Sequence, residues 1–288
     1  MNVRIIPRLD IKGPNLVKGI HFEGLRVLGK PERFARHYYE NGADELLYYD
    51  AVASLYGRNS LLETVRRTAD EVFIPLCVAG GLRTVEDIRA VLRSGADKVS
   101  VNTAAVARPE LIREASRAFG SSTLVISIEA MRKPQGGYEV YTDFGRQATG
   151  IDANDWALRA VELGAGELLV TSIEMEGTGK GYDVALTRRI AEAVPVPVIA
   201  AGGAGTSQHV VEVVRDGWAD AVCAASLLHY RCARRFAVDP GEFADEGNIQ
   251  SLRRGPQFAA VSDTDLPELK RHLQAAGISC RQATGGRV

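Results

Sequence analysis

The chain has 288 residues, of which 25% are charged, and its formal net charge is −1 at pH 7. This balance gives no attraction to nucleic acid or to an anionic membrane surface, so partners of that kind are excluded. Met1–Arg4 leads directly into a strand-like segment with no basic, apolar signal, and no apolar run reaches the ~18 residues of a membrane helix. We therefore expect a cytoplasmic protein whose length suits one barrel or two smaller domains.

The four cysteines and five histidines show no metal-binding spacing. There is no CxxC, HxxxH or HExxH pattern. Cys77 and Cys223 lie in apolar runs, where small buried thiols are common. We expect reduced thiols, no metal site and no cofactor.

Short apolar segments alternate with amphipathic ones along the chain. The apolar segments predict eight β-strands, at Arg4–Leu9, Glu45–Tyr49, Ile74–Val78, Lys98–Val101, Leu124–Ile128, Glu167–Thr171, Val198–Ala201 and Ala221–Ala224. The amphipathic segments predict helices, at Glu32–Asn41, Val85–Arg93, Glu110–Phe119, Asn154–Leu163, Val184–Ala193, Gln208–Asp216 and Pro267–Ala276. Thr84 is a candidate N-cap, and Asp87 completes a capping box. The alternation predicts an α/β fold, either a (β/α)₈ TIM barrel or a doubly wound open sheet.

Two motifs recur at one spacing. Gly42–Leu47 resembles Gly164–Leu169, and Val78–Leu82 resembles Ala200–Ala204, both after 122 residues. A carboxylate that follows an apolar run also occurs twice, at Asp10 and at Glu129. Repetition at half the chain length predicts a barrel of the phosphate-binding type with a twofold half-barrel repeat, and it disfavours the open sheet. It also indicates a substrate with two similar ends.

Two segments interrupt this regularity. Lys133–Gly150 contains a Gly-Gly pair and an alternating Tyr-Glu-Val-Tyr run, which predicts an inserted β-hairpin. Residues 232–263 have weak periodicity and predict an irregular insertion between the last strand and the last helix. We expect a single domain over residues 1–288, with a short C-terminal tail at 282–288.

Active sites of such barrels lie at the carboxyl ends of the strands. Asp10, Asp50, Glu129 and Thr171 stand at predicted strand ends. Asp10 and Glu129 hold equivalent places in the two halves and would face each other across the barrel mouth, as a general acid and a general base should. Alternatively, each is a solvated carboxylate or a helix cap.

Glycine pairs and polar residues at other strand ends indicate two phosphate sites. Gly80-Gly81 and Asn102-Thr103 end two strands of the first half, and Gly202-Gly203 and Ala225-Ser226 end two strands of the second. Glycine lets a ligand approach the backbone closely, and N–H groups at loop-to-helix junctions bind anions. A single glycine pair is equally typical of a tight turn, so the prediction depends on the repetition.

Several longer motifs resemble one family. They are Arg4–Asp10, Val17–Gly19, Gly95–Ala105, Gly164–Ser172, Glu176–Thr178 and Ala201–Gly205. With these motifs the chain resembles the HisF family, the cyclase subunits of imidazole glycerol phosphate synthase in histidine biosynthesis. The resemblance implies a phosphate-binding (β/α)₈ barrel that converts PRFAR, a bisphosphorylated ribotide, and ammonia to imidazole glycerol phosphate and AICAR.

The resemblance also implies roles for individual residues. Asp10 and Glu129 would be the acid and base, and Lys18 would lie on a mobile loop over the substrate. The other implied substrate- and phosphate-binding residues are Asp50, Gly81, Asn102, Thr103, Thr171, Glu176, Gly203 and Ser226. A charged ring of Arg4, Glu45, Lys98 and Glu167 would form the entrance for ammonia. The expected partner is a HisH-like glutaminase, which would form a heterodimer at the N-terminal barrel face.

Three positions depart from the family pattern and leave the function open. The family has Asp where Glu129 and Glu176 stand, and Cys or a small residue where Arg8 stands. Here the chain looks more like HisF-like paralogues of surface-polysaccharide loci, so an alternative role is to conduct ammonia for amidation of a nucleotide sugar. A barrel isomerase of histidine or tryptophan synthesis is a third alternative, which the charged ring disfavours.

Overall fold

The structure, a computed structural model, describes residues 2–53, 61–236, 243, 249 and 260–282. Eight parallel strands form its centre, at β1 (Arg4–Lys12), β4 (Leu46–Asp50), β5 (Leu76–Ala79), β6 (Lys98–Val101), β7 (Leu124–Arg132), β10 (Glu167–Ser172), β11 (Val198–Ala201) and β12 (Ala221–Ala224). Each pairs in parallel with the next, and β12 pairs with β1. The sheet is therefore closed, and the predicted (β/α)₈ barrel is confirmed.

Two antiparallel hairpins extend the sheet. The first consists of β2 (Asn15–Ile20) and β3 (Glu23–Gly29), and β2 pairs with β1. The second consists of β8 (Tyr138–Thr142) and β9 (Gln147–Asp152), and β8 pairs with β7. The hairpin predicted within Lys133–Gly150 is confirmed.

Helices lie between the strands, with their apolar faces against the outside of the barrel. They span Pro31–Glu40, Leu62–Ala69, Val85–Arg93, Thr103–Ala107, Glu110–Phe119, Ala153–Leu163, Val184–Ala193, Ser207–Arg215, Ser226–Arg235 and Leu266–Ala275, and a 3₁₀ turn spans Ser121–Thr123. Thr84 caps the third of these helices, and its hydroxyl accepts from the Asp87 N–H at 3.1 Å in the predicted capping box. No helix in the described part of the chain is long and apolar enough to cross a membrane.

The structure differs from the predicted elements mainly where chain segments pair. The hairpin β2–β3 was not predicted because its turn at His21 and Phe22, with φ of 50° and 64°, lacks the glycine or asparagine of a common hairpin turn. β1 and β7 extend beyond their predicted ends because each gains a hairpin partner. The helices Leu62–Ala69, Thr103–Ala107 and Ser226–Arg235 were also missed. The last of these includes residues 232–235, the start of the predicted insertion.

The remaining part of that insertion falls largely on residues 237–242, 244–248 and 250–259, which lie outside the described residues, as do residues 283–288 of the predicted tail. The domain boundaries therefore stay a prediction.

The two half-barrels repeat in backbone detail. Each begins with a strand of nine residues that is followed by a hairpin. Gly80 and Gly202 have φ of 94° and 88°, and a Cβ there would meet a backbone oxygen of the neighbouring strand end at 2.6 and 2.9 Å. Both positions therefore require glycine, which explains why the sequence motif recurs.

Side chains alternate between two apolar clusters along each strand. Ile5 and Leu9 of β1 pack outward with the helices, whereas Ile6 packs inside with Leu47 and Cys77. Val125, Leu169, Ile199 and Cys223 belong to the same inner cluster. The barrel interior is thus apolar between its two ends, and even-numbered positions of β1 face it.

A buried histidine ties the helix Ser226–Arg235 to β1. His229 Nε2 donates to the Arg8 carbonyl oxygen at 2.7 Å, because a carbonyl can only accept, and Nδ1 then accepts from the Tyr38 hydroxyl at 2.6 Å. His229 is 0% exposed. Burial lowers its pKa to about 4, from 6.5, although the bond to Arg8 opposes the shift.

The histidine should make the fold sensitive to mild acid. Between pH 6.5 and about 4 the unfolded chain binds a proton at His229 that the folded chain does not. The free energy of unfolding should therefore fall as the pH falls, by up to ~1.4 kcal/mol per pH unit from this one group. We expect His229→Gln to reduce this slope in urea unfolding at pH 7.5, 6.0 and 5.0. His272→Gln removes an exposed histidine and is the control; equal slopes in all three proteins would contradict the assignment.

Candidate active site

Two cavities lie at the carboxyl ends of the barrel strands. The larger, of about 310 Å³, lies against the first half and is lined by Asp50, Gly80, Gly81, Arg83, Ser100, Asn102, Thr103, Ser127 and Phe144, among others. The smaller, of about 20 Å³, lies against the second half and is lined by Arg8, Lys18, Glu176, Gly202, Gly203 and Ser226, among others. The residues predicted for the two phosphate sites thus separate into these two cavities, one for each half.

Asp10 is a buried, fully paired carboxylate. Arg8 Nε donates to its Oδ1 at 2.7 Å, and Lys18 Nζ lies 3.5 Å from its Oδ2. Burial alone would raise the pKa of Asp10, but the charges of Arg8 and Lys18 outweigh it and hold the pKa below its usual value. Asp10 is therefore ionised at neutral pH, the state that a general base requires.

Glu129 is 0% exposed, and its carboxylate has fewer polar partners than that of Asp10. The Tyr49 hydroxyl donates to Oε1 at 2.6 Å, and within the described residues Oε2 has no hydrogen-bond partner. Burial raises the pKa of Glu129, although the bond from Tyr49 and the charge of Arg8 oppose the shift. The environments of Asp10 and Glu129 therefore push the two pKa values apart, a pattern that marks acid and base assignments.

Lys18 and Glu176 form a buried ion pair in the smaller cavity. Lys18 is on β2, and its ammonium group bridges Glu176 and Asp10. The turn of the hairpin is held as well, since the His21 N–H donates to the Glu176 carbonyl at 2.9 Å and the Phe22 ring lies 4.3 Å from that of Phe144. The first hairpin thus covers the barrel mouth from β1 to β10.

Gly81, Asn102 and Thr103 share the larger cavity. Asn102 Nδ2 donates to the Tyr141 carbonyl at 3.1 Å, and Thr103 Oγ1 accepts from the Asp143 N–H at 3.0 Å, so both side chains are held by the second hairpin and the turn that follows its first strand. Asn102 Oδ1 is buried and, in the described ranges, has no partner. The fold therefore fixes both side chains, and the Asn102 Oδ1 atom remains available to a ligand.

Gly203 and Ser226 share the smaller cavity. A Cβ at Gly203 would lie 1.9 Å from the Gly181 carbonyl oxygen, so the position requires glycine. Ser226 Oγ is buried and has no hydrogen-bond partner among the described residues. Thr171 pairs with Glu129 in the β-ladder and lines neither cavity, while Asp50 lines the larger one and accepts from the Val52 N–H at 3.1 Å.

The four charges predicted for the strand starts lie together at the opposite end of the barrel. Arg4 lies 2.8 Å from Glu45 and 3.2 Å from Glu167, and Lys98 lies 3.1 and 3.0 Å from the same two carboxylates. Cations and anions therefore alternate in a paired ring. Along β1 this ring is about 20 Å from Asp10.

Two residues of the site were not predicted as site residues. Arg8 is 3% exposed, and its guanidinium carbon lies 4.4 Å from the centre of the Tyr49 ring. Strand alternation could have located both, because Arg8 lies between Ile6 and Asp10 on the inner face of β1, and Tyr49 lies two residues after Leu47 on that of β4.

A group of three or more His, Cys, Asp or Glu side chains suited to a metal ion does not occur in the described part of the chain.

The fold and this arrangement define a (β/α)₈ barrel of two similar halves with two buried carboxylates at the mouth. The sequence model of the histidine biosynthesis protein family matches residues 4–234. The imidazole glycerol phosphate synthase subunit HisF of Legionella pneumophila is 57% identical over 204 residues, which cover 71% of this chain and 96% of that protein. The chain belongs to the histidine biosynthesis protein family, and the predicted resemblance to HisF is confirmed.

Proposed function

We propose that this chain is the cyclase subunit of an imidazole glycerol phosphate synthase, which uses ammonia to convert PRFAR to imidazole glycerol phosphate and AICAR. The observation that carries the proposal is the pair Asp10 and Glu129 at one end of an apolar barrel whose other end is the ring of Arg4, Glu45, Lys98 and Glu167. The name of the Legionella relative supports the same reaction.

The two carboxylates suit the proton transfers of this reaction. Ammonia that adds to a carbon centre must lose a proton, and the nitrogen that departs with AICAR must gain one. Asp10, held ionised by Arg8 and Lys18, is suited to accept the first proton. Glu129, whose pKa is raised by burial, is suited to supply the second.

The substrate carries two phosphate groups, and the barrel has two suitable cavities at its mouth. Gly81, Asn102 and Thr103 would hold one phosphate, and Gly203 and Ser226 the other. Lys18 and Glu176 line the second of these cavities next to Asp10, where the reacting atoms would be. Thr171 would support Glu129 from the adjacent strand, and Asp50 would contact the substrate from the wall of the larger cavity.

The interior of the barrel supports a route for ammonia. Ile6, Leu47, Cys77, Val125, Leu169 and Ile199 make it apolar above the charged ring, so neutral ammonia could cross while ammonium ions and water would be disfavoured. The expected source is a HisH-like glutaminase subunit bound at the end where the ring lies.

The test is the reaction itself. The purified protein, given PRFAR and ammonium salt over a pH series from neutral to alkaline with free ammonia held constant, should release AICAR without any partner. Addition of a HisH-like glutaminase subunit should allow glutamine to replace the salt. Absence of AICAR release from a folded protein would contradict the cyclase and favour ammonia supply to a separate amidation reaction.

A further inference from the structure

We propose that Arg8 is a substrate-contacting residue, whose outer guanidinium nitrogen donates to a phosphate oxygen at the Gly203 and Ser226 end of the site. The inference deepens the proposed function and depends on its two-phosphate part. It assigns to Arg8 a binding role in addition to its contact with Asp10.

The guanidinium of Arg8 is held in one orientation. Its Nε donates to Asp10 at 2.7 Å, and its carbon lies 4.4 Å from the Tyr49 ring centre and 5.4 Å from that of Phe22. A charge-assisted hydrogen bond and two aromatic contacts fix the plane of the group. The directions of its remaining N–H groups are therefore fixed before a ligand binds, so binding does not have to restrict the motion of this side chain.

One nitrogen of this group has no acceptor. Arg8 Nη2 is buried and has no hydrogen-bond partner among the described residues. The nearby anions are already engaged, since Asp10 bonds Nε and Glu176 pairs with Lys18. An unsatisfied buried donor on a charged group is costly, so its persistence in a fold points to a partner that arrives from outside.

The second unsatisfied atom on the same cavity indicates the chemistry of that partner. Ser226 Oγ is also buried and has no partner in the described part of the chain, and Arg8 and Ser226 both line the smaller cavity with Gly203. A guanidinium N–H, a hydroxyl and a glycine backbone at the cavity wall all suit phosphate oxygens. The present volume, about 20 Å³, admits one oxygen atom or one water. A whole phosphate is larger than this volume, so its binding requires the lining side chains to move apart.

The experiment compares inorganic phosphate binding in the two cavities at the carboxyl ends of the strands, in crystals and by calorimetry. Arg8→Met keeps the length of the side chain but removes its charge and donors. We expect it to weaken phosphate binding at the Gly203 and Ser226 end by about tenfold to a hundredfold, the usual effect of one hydrogen bond to a charged group. The site at Gly81 and Thr103 should bind as in the wild type, so it is an internal control.

Ser226→Ala is the matched second variant, because it leaves the bond between Arg8 and Asp10 intact. It should weaken the same site, and the two substitutions together should cost less than the sum of their separate effects. If Arg8→Met fails to fold, crystals of the wild-type protein in phosphate decide the question. A phosphate oxygen within hydrogen-bond distance of Nη2 supports the proposal, and a lone water there overturns it.

The outcomes separate this inference from the proposed function. Wild-type affinity in both cavities in Arg8→Met would refute the role of Arg8 and leave the cyclase untouched. Failure of phosphate to bind in either cavity of the wild-type protein would contradict the bisphosphate substrate, and with it both proposals. If AICAR release is absent but Arg8-dependent phosphate binding persists, only the proposed cyclase activity is contradicted.

Discussion

Replacement of Asp10 by Asn, or of Glu129 by Gln, should lower ammonium-driven turnover of PRFAR by at least about a hundredfold, since a positioned acid or base contributes roughly 10² to 10⁴. Asparagine at position 10 can still accept from Arg8 but cannot take a proton. Glutamine at position 129 can still accept from Tyr49 but cannot supply one. AICAR release at saturating ammonium measures both effects.

The control is a carboxylate of similar size outside the site. Asp220 accepts from the Val198 N–H at 2.9 Å at the start of β11. Asp220→Asn should reduce stability slightly and leave turnover near that of the wild type. Near-normal turnover in Asp10→Asn or Glu129→Gln would reject the acid and base roles. Glu129→Asp withdraws the carboxylate by one methylene, and a loss of similar size there would show that its position is critical.

The pH dependence should distinguish the two roles. With Glu129 as the acid, turnover should fall as the pH rises through its raised pKa, and with Asp10 as the base it should fall again in acid, below the usual range of an aspartate. Total ammonium must be adjusted so that the concentration of free ammonia is constant. An unchanged alkaline limb in the residual activity of Glu129→Gln would assign that limb to another group.

The elements predicted most accurately from the sequence are those whose ends are determined by the residues next to them in the chain. β6, β11 and β12 have the bounds that the sequence indicated, because each is a short, largely apolar run that directly follows an aspartate or a proline. The helix Val85–Arg93 was equally clear, since its capping box is a local signal. The twofold repeat was predictable because Gly80 and Gly202 meet the same steric demand.

Contacts between distant segments could not be predicted in the same way. Tyr49 bonds Glu129 across 80 residues, and Lys18 bonds Glu176 across 158. Such pairs depend on strand register and on the hairpin β2–β3, whose turn has no typical residues. Arg8 was noticed as a departure from a family pattern. Its unpaired Nη2 could be recognised only from the structure, in which Asp10 and Tyr49 contact the guanidinium and Ser226 lines the same cavity.

The second large effect is expected at the charged ring. Lys98→Ala or Glu167→Ala should lower glutamine-driven turnover several-fold and leave ammonium-driven turnover nearly intact. Each substitution removes two of the four ion pairs and widens the narrow end of the barrel. Ammonia from a glutaminase docked at that end could then escape, whereas ammonia from bulk solvent enters the site from the other side.

The effect of an unbalanced charge in the ring must be separated from the effect of ammonia leakage. Lys98→Ala leaves Glu45, whose side chain is 3% exposed, and Glu167 with Arg4 alone, and an uncompensated buried charge destabilises a fold. The double variant Lys98→Ala with Glu167→Ala removes one charge of each sign and keeps the ring neutral. Recovery of glutamine-driven turnover in the double variant would indicate that charge balance, not closure of the ring, governs the coupling.

An exposed ion pair on the outer helices provides the matched control. Arg231 lies 2.6 Å from Glu268, both are about half exposed, and neither lines the two cavities or belongs to the charged ring. Arg231→Ala should leave both nitrogen sources equally effective. Equal losses with glutamine and with ammonium in the ring variants would mean that these residues support the fold. If titration showed no binding of the glutaminase to the wild-type barrel, the role of the ring as an ammonia entrance would be contradicted. Its alternating charges would then have a structural role, in which mutual ion pairs close this end of the barrel instead of apolar side chains.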